Sequence, residues 1–150
     1  MIQPHYDYAC CSWYPLLTKT LKKRLQVTQN KCVRFCLNLN NRDRIDEIKF
    51  KQINWLPIDK RVEQCIGTLV YKYFQKKVPS YIEDIFTPKV SKYNIRYPDM
   101  LTHPLCKTSN GQKAISYMAP KIWADIPWKV KEKESITAFK HEFKKHYFKD

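Results

Sequence analysis

Glycine is almost missing from this chain, with Gly67 and Gly111 the only 2 among 150 residues. That scarcity excludes the glycine-rich loops that cradle phosphates in P-loop and dinucleotide-binding folds. Neither GxSxG nor HExxH occurs, which removes two common hydrolase sites. Paired carboxylates are equally scarce. Polymerase chemistry needs carboxylates that hold two divalent metals, and the adjacent acidic pairs here, Asp46 with Glu47 and Glu83 with Asp84, fall in short helical turns where a structural role is expected. No apolar run approaches the roughly 20 residues that span a bilayer, and the opening MIQPHYDYACC lacks the basic start and apolar centre of a signal peptide. A membrane is therefore not an expected partner, and an intracellular location, nuclear and cytoplasmic, is.

Metal-ligand spacing is also lacking. The 6 cysteines include no CxxC pair, so zinc ligation by Cys32 and Cys36 with His5, Cys10 or Cys11, or by His103 and Cys106 with His141 and His146, lacks the expected knuckle. Reduced thiols are the expectation, with Cys32 and Cys36 acting as small hydrophobes. No cofactor is expected, and no catalytic residue.

One further absence is informative. Between Tyr8 and Arg42 there is no acidic residue, and the charges are Lys19, Lys22, Lys23, Arg24, Lys31, Arg34 and Arg42. The whole chain sets 28 Lys and Arg against 14 Asp and Glu, a net charge of +14. Such a balance favours polyanionic partners, RNA or DNA, through non-specific phosphate contacts. A helix exposed only for solubility usually mixes signs in i, i+4 pairs. The candidate phosphate-binding residues are Lys22, Lys23, Arg24, Lys31 and Arg34 on one helix, with Lys140, Lys144 and Lys145 on another.

What is present is enough for one domain over 1–150. At 43% hydrophobic and 14% aromatic content, a chain this long buries about 68–70% of its unfolded surface. Period-3.6 patterning predicts a helix over Lys19 to Leu39, with Leu21, Leu25, Thr28, Cys32, Phe35, Cys36 and Leu39 as its inner stripe. A short amphipathic turn carries Ile45, Ile48 and Phe50. A second long helix runs from Pro57 to near Lys77 through Val62, Cys65, Ile66, Leu69, Val70, Tyr73 and Phe74. Pro79, Pro88, Pro98 and Pro104 keep regular structure sparse between Thr87 and His103. Asn110-Gly111 predicts a short β-hairpin near residues 105–118. Pro120 predicts a helix starting at Ala119 and ending at Ile126, and Ser135 caps a last helix with Ile136, Phe139, Phe143 and Tyr147 inward. The fold class is mainly α, with that one hairpin. Residues 1–17 read as an incomplete N-terminal helix of Tyr6, Ala9, Cys10, Trp13 and Tyr14, with Met1 expected to be a fragment boundary or an internal start. Tyr6, Trp13, Trp55 and Trp123 are expected in the core rather than stacked on bases.

Several motifs arrive in a fixed order: WYP at Trp13, LQxxQNKxxR from Leu25, NWLPIxxR from Asn54, PSYI from Pro79, KTSNGQ from Lys107, APKIW from Ala119 and SxxxFKxxxKxxYF from Ser135. Together they resemble the region after the polymerase core in jockey-like reverse transcriptases of non-long-terminal-repeat retrotransposons. The resemblance implies a helical thumb or C-terminal extension of an RNA-directed DNA polymerase, a fragment of a larger protein that lacks the catalytic aspartates. It also implies two partners: the template RNA or target DNA, and the polymerase core. Ile95, Ala119 and Asp125 depart from the usual threonine, glycine and asparagine. Two alternatives stay open, a scaffolding extension that completes the polymerase core and a translated relic.

Overall fold

The structure is a computed structural model, and it describes residues 3–89 and 100–148. Pro98 and Ile95 lie outside the described residues. The elements are α1 (Gln3–Asp7), α2 (Cys10–Trp13), a 3-10 turn (Tyr14–Leu16), α3 (Lys19–Cys36), α4 (Glu47–Gln52), α5 (Ile58–Phe74), α6 (Ser80–Glu83), a second 3-10 turn (Gly111–Lys113), α7 (Ile115–Asp125), α8 (Trp128–Lys131) and α9 (Ile136–Tyr147). The fold is mainly helical, as the patterning predicts.

Helix α5 is the axis. Ile58, Val62, Ile66 and Val70 recur every four residues and are all buried, so one ridge of α5 faces the core along its length. α1, α2, α3, α7 and α9 pack around it. Gly67 faces Ile126, at the end of α7, and Phe139 of α9. A Cβ there would stand 2.8 Å from Ile126 Cδ1 and 3.5 Å from Phe139 Cζ, so a methyl group would require the tip of the Ile126 side chain to shift. Next to it runs an aromatic stack. Tyr71 lies 4.8 Å from Phe139, Phe139 6.3 Å from Trp123, and Trp123 5.5 Å from Phe74. Trp123 is thus a core residue, as expected. Ser135 caps α9 through Ala138 N at 3.1 Å, also as expected.

With glycine scarce, other residues take left-handed backbone: Ala9, Asn38, Asn54 and Lys76 all have positive φ. Each terminates something. Asn38 closes α3, with Leu39 N donating to Arg34 O at 2.9 Å, and Lys76 closes α5, with Lys77 N donating to Lys72 O at 2.9 Å. α5 therefore ends slightly before the expected Lys77. Ala9 splits the N-terminal stretch into two short helices, braced by Trp13 Nε1 donating to Tyr8 O at 2.7 Å. The single helix expected over 1–17 is not formed.

Three further expectations are corrected. No hairpin forms at 105–118. Asn110 adopts φ −74°, ψ −39° rather than the positive φ that a two-residue hairpin turn needs. Thr108 instead caps a helical turn, accepting from Gly111 N at 3.2 Å through Oγ1 and from Gln112 N at 3.0 Å through its carbonyl. The antiparallel contact found among the described residues is the isolated bridge between Pro88 and Leu101.

Helix α7 starts at Ile115, four residues before the expected start, so Pro120 lies inside it rather than in its first turn. Its ring is buried, and the helix accepts the loss of one intrahelical bond.

The inner face of α3 differs most. Its buried residues are Gln29 and Val33, while Leu21 is 41% and Phe35 85% exposed. The reason is polar. Gln29 Nε2 donates to Leu56 O at 2.9 Å, and Gln26 Oε1 accepts from Ile58 N at 3.3 Å. The unpaired backbone groups at the start of α5 draw two glutamines inward; of the expected stripe, Leu25 still packs against the core while Leu21 and Phe35 face solvent.

Candidate nucleic-acid interface

Thr18 caps α3 through Leu21 N at 3.4 Å, and the first turn that follows holds no acid. Lys19 and Lys22 instead place cations at the positive end of the helix dipole. Each such placement is unfavourable by about 0.3–1 kcal/mol at an exposed site.

The structure sorts the candidate cations into two groups. Lys23, Arg24 and Lys31 of α3, with Lys140 and Lys145 of α9, are exposed. Lys22, Arg34 and Lys144 serve the fold. Lys22 is half-buried, its Nζ 4.9 Å above the Tyr14 ring, and its ammonium is lowered by burial and then by Lys113. Arg34 donates from Nε at 3.1 Å and from Nη2 at 2.8 Å to Asp43 O, pinning the connection that follows α3. Lys144 donates from Nζ to Asn54 O at 2.9 Å and to its Oδ1 at 3.2 Å. Burial, and then the charge of Arg61, push its ammonium down.

The exposed side of α3 carries a ridge at four-residue spacing, Lys23, Val27, Lys31 and Phe35, all exposed. At 1.5 Å per residue it steps about 6 Å at a time between a cation and an apolar group. Arg24 and Thr28 flank it. The sequence stripe assigned Phe35 to the core, so this alternation was missed; the signal available was Gln26 and Gln29 at i, i+3, which mark the face turned toward a neighbouring helix N-terminus.

A second basic locus lies at the end of α9. Lys51, Asn54, His141, Lys144, Lys145 and Phe148 line a recess of about 370 Å³ that has no carboxylate in its wall. Lys51 belongs to α4, and nothing in the local sequence pairs it with residues some ninety positions later. α3 and α9 both reach the segment between Asn54 and Ile58, α3 through Gln26 and Gln29 and α9 through Lys144. That shared segment fixes the two helices relative to each other.

Acidic side chains gather elsewhere. Glu47, Glu63 and Asp125 line a groove of about 650 Å³ with Lys60, Lys121 and Tyr147. Tyr147 donates to Glu47 Oε1 at 3.3 Å, and burial followed by the charges of Glu47 and Asp59 pushes its hydroxyl up to about 12. The acidic pairs also have local structural roles. Asp46 caps α4 through Lys49 N at 3.2 Å, and Glu83 and Asp84 end the one-turn α6.

Among the described residues no group of three or more His, Cys, Asp or Glu is arranged to hold a metal ion. Among them, too, no helix is long and apolar enough to cross a membrane. Comparison of the chain with family models, curated proteins and solved structures returned no match in any of the three.

Proposed function

We propose that the chain is a non-catalytic, nucleic-acid-binding C-terminal module of a retrotransposon RNA-directed DNA polymerase, holding template RNA or target DNA by its phosphates. The ridge Lys23–Val27–Lys31–Phe35, on a helix with no acidic residue, carries the reading. Phosphate contacts position a nucleic acid without reading its sequence. The ordered motifs supply the polymerase context, and two of them meet physically. LQxxQ contributes the glutamines that hold the backbone of NWLPI.

The test is retention of RNA and duplex DNA by the purified chain across a salt series. Log affinity falls against log salt with a slope of about −0.9 per phosphate neutralised on duplex DNA and about −0.7 on single strands. Retention that does not change with salt, or no retention at all, defeats the proposal.

A second reading is favoured by one observation. Tyr8 is 82% exposed, Leu16 58% and Leu21 41%. Such a surface suits a scaffolding extension that docks on the polymerase core. A monodisperse monomer that folds cooperatively and binds nucleic acid counts against it.

A further inference from the structure

Lysines are spread over most of this surface, but at one place they line a recess. Where the end of α4 meets the second half of α9, Lys51, Asn54, His141, Lys144, Lys145 and Phe148 enclose about 370 Å³, within the range of about 300–1,000 Å³ that small-molecule sites occupy. Its polar side chains serve as donors. Lys144 Nζ is fixed in place by Asn54 O at 2.9 Å and Asn54 Oδ1 at 3.2 Å. With that oxygen engaged, the Asn54 side chain has its amide N–H groups to offer a ligand. His141 donates from one ring nitrogen when neutral and from both when charged. A wall of this kind suits an anion.

The helices themselves explain part of this placement. Lysines in the last turns of α4 and α9 suit the negative ends of the helix dipoles, but a dipole calls for neither a recess nor an aromatic ring. Phe148 supplies the ring. It is half-buried against the edge of the core, and it also lines the groove of Glu47, Glu63 and Asp125. The border between acidic and basic surface therefore passes at this residue. An anion with an aromatic part has one favourable arrangement there, its charge toward the lysines and its ring against Phe148. In a nucleic acid that description fits a nucleotide out of the duplex. Bases inside a duplex are covered on both faces by their neighbours, and they reach a recess this small once they leave the stack.

On the reading of the chain as a phosphate-binding module, we propose that this recess holds one unpaired nucleotide of a single strand, its phosphate against Lys51, Lys144 and Lys145 and its base on the Phe148 ring. The exposed ridge of α3 meets phosphates of duplex and single strand alike, and the recess adds a preference for the single strand. Stacking on an aromatic side chain tolerates every base, so the preference is for form and not for sequence.

The experiment titrates the full chain with adenosine monophosphate, adenosine and inorganic phosphate while the ring resonances of Phe148 and His141 are followed by NMR. The monophosphate is expected to move both rings at concentrations where adenosine moves neither and phosphate leaves Phe148 in place. No movement with the monophosphate overturns the proposal, as does phosphate or adenosine acting on Phe148 as strongly. Lys51→Glu with Lys145→Glu, at two exposed positions, is expected to abolish the shifts, and their persistence also overturns it. In strand binding, Phe148→Leu keeps the apolar bulk and removes the stacking plane. It is expected to lower affinity for an oligothymidylate strand on the order of tenfold and to leave affinity for a blunt duplex unchanged. Equal losses on both, or no loss on the single strand, refute the recess. Failure of the ridge is read separately: duplex retention that survives Lys23→Glu with Lys31→Glu defeats the ridge, while the mononucleotide shifts in the wild type still stand or fall by themselves.

Discussion

Arg61 of α5 grips Asp7 of α1 through two parallel hydrogen bonds, Nε to Oδ1 at 2.8 Å and Nη2 to Oδ2 at 2.7 Å. Its third nitrogen, Nη1, donates to Gln64 Oε1 at 2.8 Å, and Gln64 Nε2 in turn donates to Lys140 O at 2.8 Å. One arginine therefore ties three helices. The final residue of NWLPIxxR is explained by this chain of bonds without appeal to chemistry on a substrate.

Removing the carboxylate should expose that dependence. Asp7→Ala leaves the guanidinium half-buried and unpaired, and the expected loss is about 1–3 kcal/mol. Urea denaturation of the variant beside the wild type measures it, and an unchanged midpoint would show that α1 contributes nothing to the folded body.

Gln29 offers a sharper case because its side chain is buried and its partner is a backbone carbonyl. Gln29→Ala strands Leu56 O without its donor, at an expected cost of about 1–3 kcal/mol. Gln29→Leu keeps the volume and not the bond, so both variants should fall together if the hydrogen bond matters more than the packing. Thermal melts of the pair separate the two effects.

On the aromatic stack, Phe139→Ala removes the ring that touches both Tyr71 and Trp123. The expected loss is about 3–5 kcal/mol, the range for large-to-small changes in a packed core. Near-ultraviolet dichroism should lose the fixed tryptophan signal in the same variant.

For the basic ridge, Lys23→Glu with Lys31→Glu should weaken retention of RNA and DNA of every sequence alike and lower the salt slope by roughly one for each phosphate no longer neutralised. Urea midpoints should stay within about 0.5 kcal/mol of wild type, because both side chains are exposed. Arg34→Ala should show the converse, reduced stability through Asp43 O with little change in binding. A sequence-selective loss from the lysine pair would mean base readout and refute the phosphate assignment.

Tyr147 gives the chain an alkaline sensitivity. Its folded value is raised to about 12 from an ordinary 10.0, so the folded state favours the protonated hydroxyl. That preference contributes stability in full below pH 10 and is lost as pH rises from there through about 12, because the unfolded chain ionises first. Tyr147→Phe should flatten the fall in urea midpoint over that window. A wild-type midpoint already constant between pH 9 and 12 would contradict the raised value.

Helices α5 and α9 were legible because their apolar residues repeat at helical spacing and their ends carry ordinary signals, Asp59 in the first turn of one and Ser135 capping the other. α3 was legible as a helix but not in its orientation. Hydrophobicity placed Phe35 inside, whereas the unsatisfied backbone at the start of α5 drew Gln26 and Gln29 there, and no count of apolar residues registers that demand. The Asn-Gly turn misled for a related reason: Thr108 two residues earlier offered a helical cap, and the backbone took it. Of the candidate cations, sequence alone could not tell exposed Lys31 from structural Arg34, since Arg34's partner is a carbonyl with no side-chain signature.

The clamp on the segment between Asn54 and Ile58 has a temporal side. Gln29 reaches it across 27 residues and Lys144 across 90. A chain emerging from the ribosome can make the first contact early, but must wait for α9 before it makes the second. Until then the end of α4 and the start of α5 are held from one side, and the aromatic stack lacks Phe139. A ribosome that stops short of α9 therefore releases an open intermediate with its apolar interior uncovered, the kind of species that cellular proteases remove.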